Sequence, residues 1–341
     1  MKTFQAKRLL VTGGAGFIGS HFISYMLNRY PDLIIVNLDK LTYAGSKNNL
    51  REVAAIPRHI FVEGDICNAD LVASLLRKYD HDSVIHFAAE SHVDRSIQGP
   101  ADFIQTNMVG TFTLLEAVRH YWLQEKKFSV EDCRFHHIST DEVYGTLGPE
   151  EAPFSEQSPY LPNSPYSASK AGSDHLVRAY AQTYGLPVTL SNCSNNYGPH
   201  QHREKFIPTI IEACFNEKPI PIYGDGSHIR DWLYVEDHCS ALDLILRQGQ
   251  QGRSYNIGGN NEWSNLQLAH YLTRCMDERY PAKKPHARLI EHITDRPGHD
   301  WRYAINDNRI KTELAWKPLC SFEEGIMKTI SFFSRQSSLY A

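Results

Sequence analysis

Tyr166 and Lys170 stand four residues apart in Tyr166-Ser167-Ala168-Ser169-Lys170, a spacing that puts both side chains on one face of a helix. A free tyrosine titrates near about 10, too high for a base at neutral pH. A lysine ammonium and a positive nicotinamide ring nearby favour the phenolate and lower that value. Such a pair can take the proton of a carbinol while hydride leaves to the nicotinamide. A second chemical pair is Asp141-Glu142, directly after Thr140. Neighbouring carboxylates in unlike surroundings acquire different pKa values, so that one keeps its proton and the other does not. On a regular strand the two would face opposite ways. They must therefore sit where a strand has ended, at the carboxyl edge of a sheet, to reach one substrate.

A third element is the loop Thr12-Gly13-Gly14-Ala15-Gly16-Phe17-Ile18-Gly19. Gly13, Gly16 and Gly19 permit a tight turn and let backbone N–H groups approach a pyrophosphate at a helix N-terminus. The spacing is G-x-x-G-x-x-G rather than G-x-G-x-x-G. Asp39 lies twenty residues past Gly19. A carboxylate there accepts hydrogen bonds from an adenosine ribose and repels a 2′-phosphate, which points to NAD rather than NADP.

Elements that could hold these groups alternate along the first half. Strands are predicted at Arg8 to Thr12, Leu33 to Asp39, His59 to Asp65, Ser83 to Phe87, Arg134 to Thr140 and Val188 to Ser191. Helices are predicted from about Ser20 to Arg29, near Asn107 to Leu123 and near Ser167 to Tyr184. The middle one should bury Val109, Phe112, Leu115, Val118 and Trp122. This pattern predicts an α/β fold, a doubly wound parallel sheet of Rossmann type. Past about Asn195 prolines and Gly-rich turns multiply, with helical stretches near Pro208 to Phe215, Val235 to Arg247, Asn265 to Met276 and Phe322 to Phe333. Residues 1–197 are expected to form the NAD-binding domain, with about 226–260 returning to it. Residues 198–335 should mainly form a smaller α+β substrate domain.

Composition narrows the field. The 341 residues carry 35 Lys and Arg against 39 Asp and Glu, a net charge of −4, so nothing calls for nucleic acid as a partner. No apolar run approaches the length of a membrane span, and the first residues show no apolar signal-peptide core. Seven scattered cysteines without C-x-x-C fit free thiols in a reducing cytoplasm. His200-x-His202 and His136-His137 invite a metal reading, but neither has the spacing and carboxylate of a metal motif, so none is expected.

The glycine loop, Asn107 and Tyr166-x-x-x-Lys170 together resemble the extended short-chain dehydrogenase/reductase family, which binds NAD and works on nucleotide sugars. Within it, Thr140-Asp141-Glu142-Val143-Tyr144-Gly145 resembles the signature of the dTDP-glucose 4,6-dehydratases. Five further stretches match in order: 39–45, 88–96, 192–199, 230–237 and 295–300. The resemblance covers essentially the whole chain. It implies a hydro-lyase that oxidises C4 of the hexose, eliminates water across C5 and C6, and returns hydride to C6. Tyr166 would then be the C4 base, Glu142 the C5 base and Asp141 the acid at the C6 oxygen, with Thr140 on the sugar. Around NAD the resemblance places the three loop glycines with Phe17 and Ile18. It adds Asp39, Lys40, Leu41 and Thr42, then Asp65 and Ile66, then Phe87, Ala88 and Ala89. Thr106, Tyr166, Lys170 and Asn196 complete that side. Around a nucleoside-diphosphate glucose, dTDP-glucose foremost, it places Ser91, Asn195, Lys205, Phe206, Pro221, Ile222 and Tyr223. Arg230, Asn265, Asp295, Arg296 and His299 lie further along. Arg230 and Arg296 suit a diphosphate, because guanidinium gives forked, charge-assisted bonds. The resemblance also implies a homodimer through the helices near Asn107 to Leu123 and Ser167 to Tyr184. Trp301 receives no role. Alternatives on the same fold are a UDP-sugar 4,6-dehydratase, a UDP-sugar 4-epimerase and a UDP-glucuronate decarboxylase. A dinucleotide-sensing protein without catalysis is a rival of another class.

Overall fold

The structure is a computed structural model and describes residues 3–337. Its strands are β1 (Arg8–Thr12), β2 (Ile34–Asp39), β3 (His59–Glu63), β4 (Ser83–His86), β5 (Arg134–Thr140) and β6 (Val188–Cys193). The second half adds β7 (Asn195–Tyr197), β8 (Ile220–Tyr223), β9 (Ile229–Tyr234), β10 (Ser254–Ile257), β11 (Glu262–Ser264) and β12 (Ile290–Ile293). Seven strands make one parallel sheet in the order β10-β6-β5-β4-β1-β2-β3. Strand order reverses between β1 and β4, which opens a crevice at their carboxyl ends, where open parallel sheets take ligands.

Burial follows the pleat. Leu9, Val11 and Ile35 face one layer, built on the helices Phe17–Arg29 and Val235–Gln248. Leu10, Val36 and Val84 face the other, with Leu115, Val118, Trp122 and Val177 from the helices that cover it. Near-continuous apolar strands are what a sheet covered on both faces requires.

Residues 101–125 are helical throughout, with π-type turns over Ile104–Gly110 and Arg119–Glu125. These turns alter the expected stripe. Leu115, Val118 and Trp122 are buried, but Val109 and Phe112 are exposed, along with Ile104. A helix wound more widely than 3.6 residues per turn moves those two positions off the core face. The first helix begins at Phe17 rather than Ser20, with Gly16 as a cap that offers no side-chain bond. Of the stretch 226–260, the helix Val235–Gln248 and β10 join the main sheet. β9 does not: it pairs with β7 and β11 in a separate three-stranded sheet. β8 and β12 form a parallel pair further out. No helix among the described residues is long and apolar enough to cross a membrane.

Candidate functional site

The crevice at the strand-order reversal is lined by the glycine loop and the ends of β2, β4, β5 and β6. Gly13 has φ +72°, and a Cβ there would meet the backbone nitrogen of Ala88 at 2.5 Å. Only glycine tolerates both conditions. A Cβ on Gly19 would collide with the Gly13 carbonyl, so the helix starts close beneath the loop. At the end of β2, Asp39 accepts from the backbone N–H of Ala15 (2.8 Å) and of Leu41 (2.8 Å). Burial raises its pKa against those two bonds. Lys40 pairs with Asp65 at 2.8 Å on the same rim. An uncapped helix N-terminus, a cradle that a Cβ would fill, and a carboxylate at the end of β2 in the same crevice all fit NAD.

The reacting groups close the crevice from the other side. β5 ends at Thr140, and Asp141–Tyr144 turn into a 3-10 helix, so Asp141 and Glu142 need not alternate across a strand. The Thr140 hydroxyl accepts from the Glu142 N–H at 3.3 Å and donates to Asp141 Oδ1 at 3.4 Å. Asp141 is 1% exposed, and its Oδ2 has no hydrogen-bond partner. Burial pushes its pKa well above the carboxylate range, and the negative Glu142 and Asp231 push it further. Burial raises Glu142 too, but there Arg296, Arg230 and Lys205 all pull it back. Both carboxyls of the dipeptide are thus raised by burial, Asp141 the more so, and more cations oppose the rise at Glu142 than at Asp141.

Tyr166 and Lys170 lie on the helix Pro165–Tyr184, which opens with a Ser164/Ser167 capping box and Pro165 in its first turn. Both side chains line the crevice. Lys170 Nζ donates to the Ile138 carbonyl at 2.6 Å. Burial drives the Tyr166 pKa upward, reinforced by Glu142, and only the Thr140 hydrogen bond opposes this strongly. Burial therefore opposes the depression that a nearby ammonium and a nicotinamide charge would bring.

The cofactor-side residues expected from sequence line this crevice, with one exception. Leu41 does not; it takes φ +54° and offers its N–H to Asp39. Of the substrate-side residues, Ser91, Asn195 and Lys205 line it, and Lys205 Nζ donates to the Ser91 carbonyl at 3.0 Å. The remainder lie beyond, around β8, β9 and residues 295–299. There Arg296 pairs with Asp94 at 3.1 Å, and Tyr223 donates to the same carboxylate at 3.3 Å. Arg230 spends its guanidinium on the carbonyls of Ile229, Asp300 and Trp301. Ile222 is fully buried in the core, so only its backbone can face a ligand. Phe206 stacks near Trp232, with centroids 6.4 Å apart, and Asn265 opens a helix by donating to the His228 carbonyl. Trp301 acts through its backbone, donating to Thr146 and accepting from Ile229.

Sequence reasoning missed Tyr43, Glu90, Cys193 and Glu204, all in the lining. Tyr43, Glu90 and Cys193 fall inside stretches that carried the resemblance, which was the available signal. Among the histidines, His136 bonds Thr189 and Ser191 while His137 faces Asp174, so that pair diverges. His228, Asp295 and His299 gather within 4.8 Å, unforeseen from sequence. The two rings stack in parallel at 3.6 Å on the Asp295 carboxylate, which fixes the position of His299.

Sheet order, glycine cradle and Tyr–Lys helix together define an extended short-chain dehydrogenase/reductase fold. Within that class the chain belongs to the family described as GDP-mannose 4,6 dehydratase, whose model matches residues 10–329. It is 51% identical over 334 residues to the dTDP-glucose 4,6-dehydratase of Haemophilus influenzae, covering 97% of this chain and 98% of that one. The structure of the dTDP-glucose 4,6-dehydratase of Streptomyces venezuelae, solved with NAD bound, matches with a TM-score of 0.88 at 43% identity, covering 97% and 98%. That of Bacillus anthracis in complex with NAD gives 0.86 at 42%, covering 98% of each chain.

Proposed function

We propose a division of labour among these side chains for the reaction the chain carries out, the removal of water from dTDP-glucose. The chain is a hydro-lyase, and its cofactor is NAD. When bound, NAD takes hydride from C4 and gives it back at C6. Tyr166 takes the proton of the C4 hydroxyl, assisted by the Lys170 charge. The C4 ketone makes the C5 proton acidic, and Glu142 removes it. Asp141 supplies the proton with which the C6 hydroxyl leaves as water, while C5 and C6 form a double bond. Hydride at C6 and a proton from Glu142 at C5 complete the 4-dehydro-6-deoxy sugar. The observation that carries this reading is the difference between adjacent carboxyls: Asp141 is buried beside Glu142 and Asp231 with Arg230 as the cation acting on it, whereas Arg296, Arg230 and Lys205 all act on Glu142. A 4-epimerase needs no such acid and base.

Residues 1–197 with the returning helix and β10 supply the cofactor side, and residues from 198 to 335 mainly supply the nucleotide-sugar side. Lys205, Arg230 and Arg296 there face the diphosphate and the anionic base. The exposed Ile104, Val109 and Phe112 support a homodimer in which this helix face covers its copy. Seven free thiols support a cytoplasmic location. The test is turnover of dTDP-glucose and UDP-glucose side by side, read by the base-induced absorbance of a 4-keto sugar. Product from dTDP-glucose at the higher kcat/KM is expected; epimer without 4-keto product would overturn the reading.

A further inference from the structure

The helix that carries Tyr166 and Lys170 bears a third buried group at the same spacing, Asp174. Positions 166, 170 and 174 form one ladder along the helix face. Asp174 is fully buried. Its Oδ2 accepts from Ser139 Oγ (2.7 Å), Tyr160 OH (3.1 Å) and Asn192 Nδ2 (3.4 Å), and His137 Nε2 lies 3.1 Å from Oδ1. The same Asn192 amide donates to the Thr140 carbonyl at 3.1 Å. Three donors on one oxygen is a set suited to an anion. No step above uses this carboxylate, and burying one costs several kcal/mol unless a charge or a set of donors answers it.

Lys170, one helical turn before Asp174, is bonded to the carbonyl of Ile138, next to the Ser139 that donates to Asp174, and Asp174 Oδ1 has no hydrogen-bond partner of its own. Tyr144 and Tyr160 from the chain after β5, Ser139 and His137 from β5, and Asn192 from β6 are the other polar groups around Asp174. Burial and the Lys170 charge keep His137 neutral, which leaves Lys170 as the cation on this face. Burial pushes Lys170 toward the neutral amine, and Asp174 is the first group to oppose that, ahead of Cys193. Asp174 itself is raised by burial to about 6, with Lys170 and the three donors pulling it down, so it is ionised at neutral pH.

We propose that Asp174 is a positioning residue for C4 oxidation: its buried carboxylate is the counter-charge one helical turn from Lys170, and its hydrogen bonds, with that of Lys170 to Ile138, clamp the end of β5 to the catalytic helix. The inference rests on the Tyr166 and Lys170 roles proposed above.

The test follows appearance of reduced nicotinamide on mixing NAD-loaded protein with dTDP-glucose across pH, for the native protein and Tyr166→Phe, Asp174→Asn, Tyr160→Phe and Ser139→Ala variants. Native oxidation should fall below a limb near about 6, as Asp174 takes up its proton. Asp174→Asn should slow oxidation by about tenfold or more with KM little changed. Its alkaline limb, where Lys170 loses its proton, should move toward neutrality. Tyr160→Phe and Ser139→Ala keep the charge but remove a donor that favours the anion. They should cost far less rate and move the acid limb upward. Equal losses in all three variants with fixed limbs would mean a structural role and overturn the proposal. So would native oxidation in Asp174→Asn. If Asp174→Asn does not fold, the direction of the limb in the other two decides. Native oxidation in Tyr166→Phe would instead defeat the site reading itself, whatever Asp174 does.

Discussion

The cofactor side and the nucleotide-sugar side of the crevice are built on different principles. The first is made of backbone: a helix N-terminus, a glycine turn pressed against Ala88, and a carboxylate held by two N–H groups. The second is made of long charged side chains, two on loops and one on β9, each engaged within the protein: Arg296 with Asp94, Lys205 with the Ser91 carbonyl, Arg230 with three carbonyls. A backbone site is ready before its ligand arrives. A side-chain site must trade internal partners for ligand contacts, so part of its binding energy is spent on that exchange. The contrast matches a cofactor that is regenerated every cycle and a substrate that must leave as product.

The largest effect should come from the groups between the two sides. Tyr166→Phe should lower both C4 oxidation and product formation by about 10²–10⁴. Glu142→Gln should spare oxidation and slow both exchange of the C5 proton and water loss, while Asp141→Asn should slow water loss alone and let reduced nicotinamide accumulate. Rapid quench with C5-labelled substrate in deuterated buffer reads both steps. Next, Gly13→Ala should break the backbone side. A left-handed residue with a Cβ costs about 1–2 kcal/mol even before the clash with Ala88. NAD retention on gel filtration should fall about tenfold or more, with the affinity for dTDP nearly native. Arg296→Lys should break only the side-chain side, raising KM for dTDP-glucose several-fold through loss of the planar fork, with NAD retention unchanged. Steady-state kinetics with cofactor in excess checks this.

The smallest effect concerns stability. Asp141 has a raised folded pKa, so above the unfolded value of about 3.9 the folded chain holds a proton that the unfolded chain releases. Stability is lost as pH rises toward the folded pKa. Asp141→Asn lacks this loss, and its melting temperature should exceed the native one by a margin that grows between pH 5 and 8. Thermal melts at the two pH values decide it.

The backbone-built side was the more legible in sequence. Glycine spacing, an acid at a strand end and alternating apolar runs are local signals, and they located the crevice and the end of β5 at Thr140. Lys170 was placed on the correct face, yet its actual partner, the Ile138 carbonyl, belongs to a strand thirty-two residues away, and no spacing rule reaches that far. The Tyr166 pKa went the other way for the same reason, since burial is set by the whole fold. Val109 and Phe112 were misread because a 3.6-residue period was applied to a helix with π-type turns. Asp94 and its pairing with Arg296, 202 residues apart, carry no local pattern at all.

β10 lies at the edge of the main sheet beside β6, although 60 residues separate the end of β6 from its start. During synthesis, β6 therefore emerges with an open hydrogen-bonding edge and stays so until the intervening chain has been made. A bare parallel edge is a template for pairing with another chain. The cofactor half cannot be completed by its own first 197 residues, so a ribosome-bound fragment is at risk of aggregation until the strand that caps the sheet arrives.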